Sequence, residues 1–205
     1  MADLLPPVDL TLILAFDGSA SVTYESFGLI ASGTAAGLRD EVVVNGLLGG
    51  AQGAALMCLL LWSGSGDQEL LTDWTRIDTL QALAEFADQV ENVPRIVRAG
   101  TTAIGAALLV CEKLLADAPA KSARQIIDVA GDGRNNEGPD PVVVRDRLVD
   151  AGVTINGLCV LHEESDLLAS YESDVIGGDG AFALVCANYT EFAQAMRQKL
   201  RQEVA

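Results

Sequence analysis

Basic residues and histidine are scarce in this chain. Its 205 residues include 13 lysines and arginines and one histidine against 29 acidic residues, so the formal net charge at pH 7 is −16. A chain with this charge repels phosphate backbones and anionic lipid surfaces, which excludes nucleic acid as a favoured partner. The single histidine, His162, also leaves few side chains that could act as a general base near neutral pH.

Paired cysteine motifs and long apolar runs are also missing. The four cysteines, Cys58, Cys111, Cys159 and Cys186, form no Cys-x-x-Cys pair, which argues against a zinc or thiol-redox motif. All four lie in apolar segments and are expected to be small buried hydrophobic residues. A disulfide between Cys159 and Cys186 stays open, because both fall on predicted strands that could be neighbours. No apolar run approaches the roughly 18 residues of a membrane span, so we expect no membrane insertion.

Recognisable catalytic motifs are not found. The sequence has no Asp-x-Asp nucleophile pair, no His-Glu-x-x-His and no Gly-x-Ser-x-Gly elbow. The glycine-rich stretch 177–180 does not connect a strand to a helix, so it does not fit a dinucleotide-binding loop. These absences predict a protein that is not an enzyme.

Half of the residues are apolar, which is enough for a substantial core in one domain spanning residues 1–205. Apolar runs and turn signals predict six strands, at 8–16, 54–62, 68–74, 125–130, 153–161 and 181–186. Helical spacing predicts helices at 21–39, 78–90, 102–116, 141–151, 163–173 and 189–204. The alternation indicates the α/β class: three layers around a doubly wound, mainly parallel six-stranded sheet with one short antiparallel edge strand, 68–74.

Hard oxygen ligands lie after two of the predicted strands and at the start of one predicted helix. Asp17-Gly18-Ser19-Ala20-Ser21 comes directly after the first strand, Gly100-Thr101-Thr102 opens an apolar helix, and Asp132-Gly133 follows the fourth strand. Sites in such sheets gather at the carboxyl ends of the strands, where these segments meet. Carboxylate and hydroxyl oxygens suit Mg²⁺, Mn²⁺ or Ca²⁺ better than zinc or copper. The alternative is that the serines only cap the next helix and the aspartates are turn residues.

Asp17, Ser19, Ser21, Thr102 and Asp132 resemble the metal-ion-dependent adhesion site of von Willebrand factor A domains. That family has Asp-x-Ser-x-Ser after its first strand, a threonine at the start of a central helix and Asp-Gly after its fourth strand. The resemblance covers essentially the whole chain. It implies that these five residues bind Mg²⁺, with Mn²⁺ and Ca²⁺ as alternatives, and that the two carboxylates act directly or through water. It also implies that a partner protein's Asp or Glu completes the metal shell.

Five neighbouring residues are candidates for supporting this site or facing a partner: Gly18, Thr101, Gly133, Asn135 and Asn136. Family members often have Gly-Gly-Thr where this chain has Gly100-Thr101-Thr102, so either threonine could be the ligand. Counting back from the helix favours Thr102. Asn135 and Asn136 could brace the metal loop or simply form its turn.

Residues 129–136, 155–158 and 175–182 are more closely similar to an uncharacterised bacterial family of secreted von Willebrand factor A-like proteins. Members usually begin with a signal peptide, which implies a periplasmic or secreted location. No basic region followed by an apolar stretch precedes the first strand, so we expect that the given chain carries no signal peptide. A mature chain whose signal peptide was replaced by an initiator methionine would look the same.

The leading hypothesis is therefore a divalent-cation-dependent protein-binding domain for adhesion or assembly. Two alternatives remain: a metal-dependent hydrolase or phosphatase, and a structural subunit whose metal only stabilises the fold.

Overall fold

The computed structural model describes residues 5–162 and 164–205. The predicted helix start at Glu163 and the first four residues lie outside these ranges. The strands are β1 (Val8–Asp17), β2 (Ala55–Trp62), β3 (Gln68–Ile77), β4 (Ser122–Gly131), β5 (Val153–Val160) and β6 (Ala183–Cys186). The helices are α1 (Tyr24–Leu38), α2 (Glu41–Leu48), α3 (Leu80–Glu91), α4 (Ile104–Ala116), α5 (Pro141–Asp150), α6 (Leu167–Ser170) and α7 (Phe192–Glu203). A π-helical turn (Tyr171–Val175) extends α6, and a 3₁₀ turn (Tyr189–Glu191) precedes α7.

The six strands form one sheet in the order β3-β2-β1-β4-β5-β6. Every neighbouring pair is parallel except β2 and β3, which are antiparallel. The central strand β1 is almost entirely buried, as expected for a parallel strand covered on both faces. The predicted α/β class and the antiparallel edge strand are therefore confirmed, although β3 runs to Ile77, three residues beyond its predicted end.

Alternating residues of the sheet build two apolar cores. Leu12 and Leu14 of β1 pack with helices α1, α2, α3 and α7 on one face. Ile13 and Ala15 point to the opposite face, where α4, α5, α6 and the π-helical turn lie. This period of two is the reason why a run of consecutive apolar residues can serve both layers. None of the helices in the described ranges has the length and apolar character needed to cross a membrane.

The structure resolves several points that the sequence left open. The cap of α1 is Thr23, whose hydroxyl accepts from the Ser26 amide, so Ser19 and Ser21 do not cap this helix. Helix α2 was not predicted; its cap is Asp40, and Val43 and Leu47 lie on its buried face. The predicted helix 163–173 is represented by α6 and the π-helical turn.

The thiols do not form a disulfide between Cys159 and Cys186. Both cysteines are free and buried. Cys159 belongs to the core beneath α4 and Cys186 to the core beneath α7, so their side chains lie on opposite faces of the sheet. This separation follows from the register, in which Cys186 pairs with Val160 and not with Cys159.

A buried charged cluster attaches α7 to the sheet. The Lys199 ammonium lies 2.6 Å from an Asp128 carboxylate oxygen of β4 and 2.5 Å from Glu203 Oε1, and all three side chains are buried. Asn156 of β5 donates to Glu203 Oε1 at 2.9 Å. Burial, followed by the charge of Glu203, raises the pKa of Asp128 to about 7 against the opposing effect of Lys199. Desolvation lowers the pKa of Lys199, but the two carboxylates outweigh it and the net shift is upward.

We predict that Asp128 makes the fold more stable in mild acid. Because its folded pKa is above its unfolded pKa of about 3.9, the native state binds the extra proton, and stability rises as the pH falls through about 7. Asp128→Asn should lose this contribution. Urea unfolding at pH 8 and pH 5.5 should show a gain on acidification that is smaller in the variant by about 1 kcal/mol or more, since one unit of pKa is about 1.4 kcal/mol.

The matched control is Asp150→Asn, at an exposed position in α5. Its gain in stability on acidification should equal that of the wild type. Equal gains in the wild type and in Asp128→Asn would contradict the prediction.

Candidate metal centre

The predicted oxygen ligands meet at the carboxyl edge of the sheet. Phe16 of β1 pairs with Ala130 of β4, so the loops that follow these two strands begin side by side. The loop after β1 also contacts the segment before α4, since the Ala20 amide donates to the Gly100 carbonyl at 2.9 Å. Parallel neighbouring strands thus place residues more than a hundred positions apart at one edge.

Hydroxyl groups and a carboxylate form a connected chain in this site. Ser19 Oγ lies 3.2 Å from Ser21 Oγ. Ser21 Oγ donates to Asp132 Oδ1 at 2.6 Å, and the Tyr189 hydroxyl donates to Asp132 Oδ2 at 2.8 Å. Both oxygens of Asp132 are therefore engaged, which orients this carboxylate firmly toward the serines.

Asp17 is the least satisfied group of the site. It is completely buried, and its Oδ1 accepts from the Ser19 amide at 2.7 Å. Its Oδ2 is also buried and has no hydrogen-bond partner among the described residues. Burial, followed by the charge of Asp132, raises the pKa of Asp17 to about 7. A buried unpaired carboxylate oxygen is costly, and a divalent cation beside it would offset that cost.

The donor chemistry therefore fits a hard cation. Within residues 5–162 and 164–205, no group of three His, Cys, Asp or Glu side chains is close enough to bind a metal. Charge would come only from Asp17 and Asp132, and the remaining ligands would be neutral hydroxyls. Such a set suits Mg²⁺, Mn²⁺ or Ca²⁺.

The two threonines before α4 have different surroundings. The Thr101 side chain is exposed, and its hydroxyl donates to the Glu137 carboxylate. Thr102 is buried, and its Oγ1 would be 3.3 Å from a Cβ placed on Gly133, next to Asp132. The geometry therefore favours Thr102 as the candidate ligand.

Asn135 and Asn136 brace the loop that carries Thr102. Asn136 Oδ1 accepts from the Thr102 amide at 2.9 Å, and the Asn136 amide donates to the Thr102 carbonyl at 2.9 Å. Asn135 Oδ1 accepts from the Gly105 amide at 3.2 Å. These bonds connect the segment after β4 to the start of α4.

Gly18 and Gly133 permit close approach at the site. A Cβ on Gly18 would lie 2.7 Å from Val97 Cγ2, so a larger residue would push the Asp17 loop away. A Cβ on Gly133 would be in tight contact with Thr102 Oγ1. Both positions therefore shape the site without supplying a ligand atom.

Several supporting residues were not predicted from the sequence. Arg95 Nη2 donates to the Gly18 carbonyl at 2.7 Å and to the Ser19 carbonyl at 3.1 Å. Ser63 accepts from the Gly100 amide through its Oγ at 3.1 Å. Arg95 and Tyr189 belong to no motif and reach the site only through tertiary folding. The one available signal was for Ser63, since it follows a buried strand that ends at the same edge.

Solved structures share this fold at low sequence identity. Proximal thread matrix protein 1 from the mussel byssus has a TM-score of 0.73 at 15% identity over 97% of this chain and 48% of that chain. Another structure of the same protein has a zinc-occupied MIDAS motif, the abbreviation of metal-ion-dependent adhesion site. It has a TM-score of 0.69 at 15% identity over 97% of this chain and 48% of that chain. The vWF domain of the type V pili tip protein Mfa5 from Porphyromonas gingivalis has a TM-score of 0.60 at 11% identity, with coverages of 97% and 97%.

The chain has the α/β fold of von Willebrand factor A domains. The chain belongs to the family described as protein of unknown function (DUF1194), whose family model matches residues 7–205. It spans about half the length of the mussel protein. No curated protein sequence matches the chain.

We predict opposite effects of Asp17→Asn without and with metal. In metal-free buffer at pH 8, the variant should be more stable than the wild type by about 1–3 kcal/mol, because it removes a buried charge and keeps an acceptor for the Ser19 amide. With saturating Mg²⁺ or Mn²⁺, the wild type should gain stability and the variant should not. Thermal unfolding of both proteins, with and without metal, measures this; an equal gain from metal in the two proteins would contradict it.

Proposed function

We propose that this chain is a divalent-cation-dependent protein-binding domain, in which an Asp or Glu of the partner completes the metal shell. The observation that carries the proposal is the buried Asp17 Oδ2, unpartnered among the described residues, beside the hydroxyl groups linked to Asp132. In this proposal the ligands are Asp17, Ser19, Ser21, Thr102 and Asp132. Mg²⁺ is the proposed ion, with Mn²⁺ and Ca²⁺ as alternatives, and residues 1–205 act as one domain.

The weakness of the neutral ligands favours an acidic group from the partner. Three of the five ligands are hydroxyls that add no charge, so the ion keeps its electrophilicity and an open position that a carboxylate can occupy. A carboxylate that coordinates the ion directly is not screened by salt. The repulsion between the −16 chain and an acidic partner, in contrast, is screened beyond about 10 Å at ordinary ionic strength.

The surroundings of the site suit a protein partner. Tyr24, at the start of α1, is 76% exposed, and Ile96 is 55% exposed. Arg95, which contacts the Asp17 loop, places its guanidinium 5.2 Å from the centre of the Tyr24 ring. Aromatic and arginine side chains are enriched in protein interfaces, so this rim could pack against a partner while its carboxylate binds the ion.

Adhesion and assembly also match the named neighbours. The mussel protein is a thread matrix protein, and Mfa5 is a pilus tip protein. A periplasmic or secreted location is part of the proposal, by resemblance to secreted von Willebrand factor A-like proteins. A non-enzymatic role is favoured because the single histidine, His162, leaves few side chains that could act as a general base beside the metal.

The first test concerns the metal and the partner. A partner captured from native extract in Mg²⁺ should bind purified protein, and binding should disappear with EDTA while improving modestly with ionic strength. Thr102→Ala should weaken binding of metal and partner about tenfold or more, because it removes a neutral ligand. Thr101→Ala is the matched control and should bind normally, since its hydroxyl contacts Glu137 instead.

Two results would reject the mechanism or replace it. If EDTA leaves partner affinity unchanged, the metal does not take part in binding. If metal raises the melting temperature but does not alter partner affinity, the alternative of a purely stabilising metal is correct.

The second test concerns catalysis. We expect no turnover of generic phosphate or carboxylic ester substrates in Mg²⁺ or Mn²⁺, because the chain has one histidine and no recognisable hydrolase or phosphatase motif. Colorimetric assays of the wild type and Asp132→Ala measure this. Turnover in the wild type that is sensitive to chelation and lost in the variant would establish the hydrolase or phosphatase alternative.

A further inference from the structure

The geometry points to Tyr171 as a positioning residue of the metal centre, whose phenol donates to Asp17 Oδ2 through one water. This inference rests on the proposed metal site. Tyr189 donates a hydrogen bond to Asp132, and the inference gives Tyr171 the corresponding role toward Asp17.

Tyr171 lies in a slot formed by two glycines. Its side chain is completely buried. Tyr171 is the first residue of the π-helical turn that follows α6. A Cβ on Gly157 of β5 would be 2.8 Å from Tyr171 Cδ1, and a Cβ on Gly131 of β4 would be 2.8 Å from its hydroxyl oxygen. Any larger residue at these two positions would displace the ring, so the two strands admit the whole phenol into the sheet edge.

The slot places the Tyr171 hydroxyl near Asp17 Oδ2. The position of a Gly131 Cβ is 3.0 Å from Asp17 Oδ2 as well as 2.8 Å from the Tyr171 hydroxyl. Both oxygens therefore border the same small space. Each is buried, and neither has a hydrogen-bond partner among the described residues. One is a donor and the other an acceptor, so a single water between them would satisfy both groups at once.

The phenol can serve only as a neutral donor here. Burial raises the pKa of Tyr171 well above its ordinary value, and the nearby Cys159, Asp17 and Asp132 add to this shift. The π-helical turn is itself unusual, since such turns are rare and are frequently found at functional sites. Hydrogen bonds of this kind orient ligand carboxylates, and losing one typically weakens metal binding about 10- to 100-fold.

The test compares the loss of the Tyr171 hydroxyl with the loss of a hydroxyl away from the site. Tyr171→Phe keeps the ring in its slot, whereas Ser32→Ala removes an exposed hydroxyl from the middle of α1. Mn²⁺ affinity is measured by isothermal titration calorimetry, and metal-free stability by urea unfolding. We expect Tyr171→Phe to bind Mn²⁺ about 10- to 100-fold more weakly and Ser32→Ala to bind like the wild type.

A second variant covers the case in which Tyr171→Phe does not fold. Gly131→Ala retains the phenol but places a methyl group between it and Asp17. We expect it to weaken Mn²⁺ binding in the same direction, whereas Gly66→Ala, whose added methyl group meets no atom within 4 Å, should not.

The outcomes separate this inference from the proposed function. A wild type that binds no Mn²⁺ rejects the metal site itself. A wild type that binds Mn²⁺ together with a folded Tyr171→Phe of equal affinity overturns only the role of Tyr171, even if that variant is less stable, because lost packing alone lowers stability without changing metal affinity. If Tyr171→Phe does not fold, equal affinity in Gly131→Ala overturns it in the same way.

Discussion

The burial of two carboxylates beside each other is the constraint on which the carboxyl edge of the sheet depends. Asp17 ends β1 and Asp132 follows β4, the adjacent parallel strand, and burial together with mutual repulsion raises the pKa of Asp17. Charges in such a place must be paired, protonated or bound to a cation. The surrounding contacts can be understood as responses to that requirement: the Ser19 amide bonds Asp17, and the hydroxyls of Ser21 and Tyr189 bond Asp132.

Much of the fold could be predicted because it depends on period and order. Apolar runs of strand length separated by helical spacing specify a parallel sheet, and the carboxyl-edge rule then brings Asp17, Thr102 and Asp132 together. Helix α2 was missed because it is short and follows α1 almost without a break, although the cap at Asp40 and the spacing of Val43 and Leu47 were visible signals.

The supporting residues of the site could not be predicted for a different reason. Tyr171, Tyr189 and Arg95 occur in no local motif, and each reaches the site through the packing of a separate segment. Gly131 and Gly157 look like ordinary strand glycines in the sequence. Their significance appears only when two neighbouring strands are placed under one aromatic ring. Motif spacing thus identifies ligands, whereas the groups that orient them follow from tertiary structure.

The buried charged cluster also fixes where α7 sits along the sheet. Apolar contacts alone tolerate a helix that slides by a fraction of a turn, because one methyl group replaces another at little cost. Lys199 has no such freedom, since a shift would separate its ammonium from Asp128 where both groups are fully buried. The ion pair therefore fixes the axial position of α7 and, with it, the position of the 3₁₀ turn that precedes the helix. Lys199 thus helps to set where Tyr189, in that turn, meets Asp132.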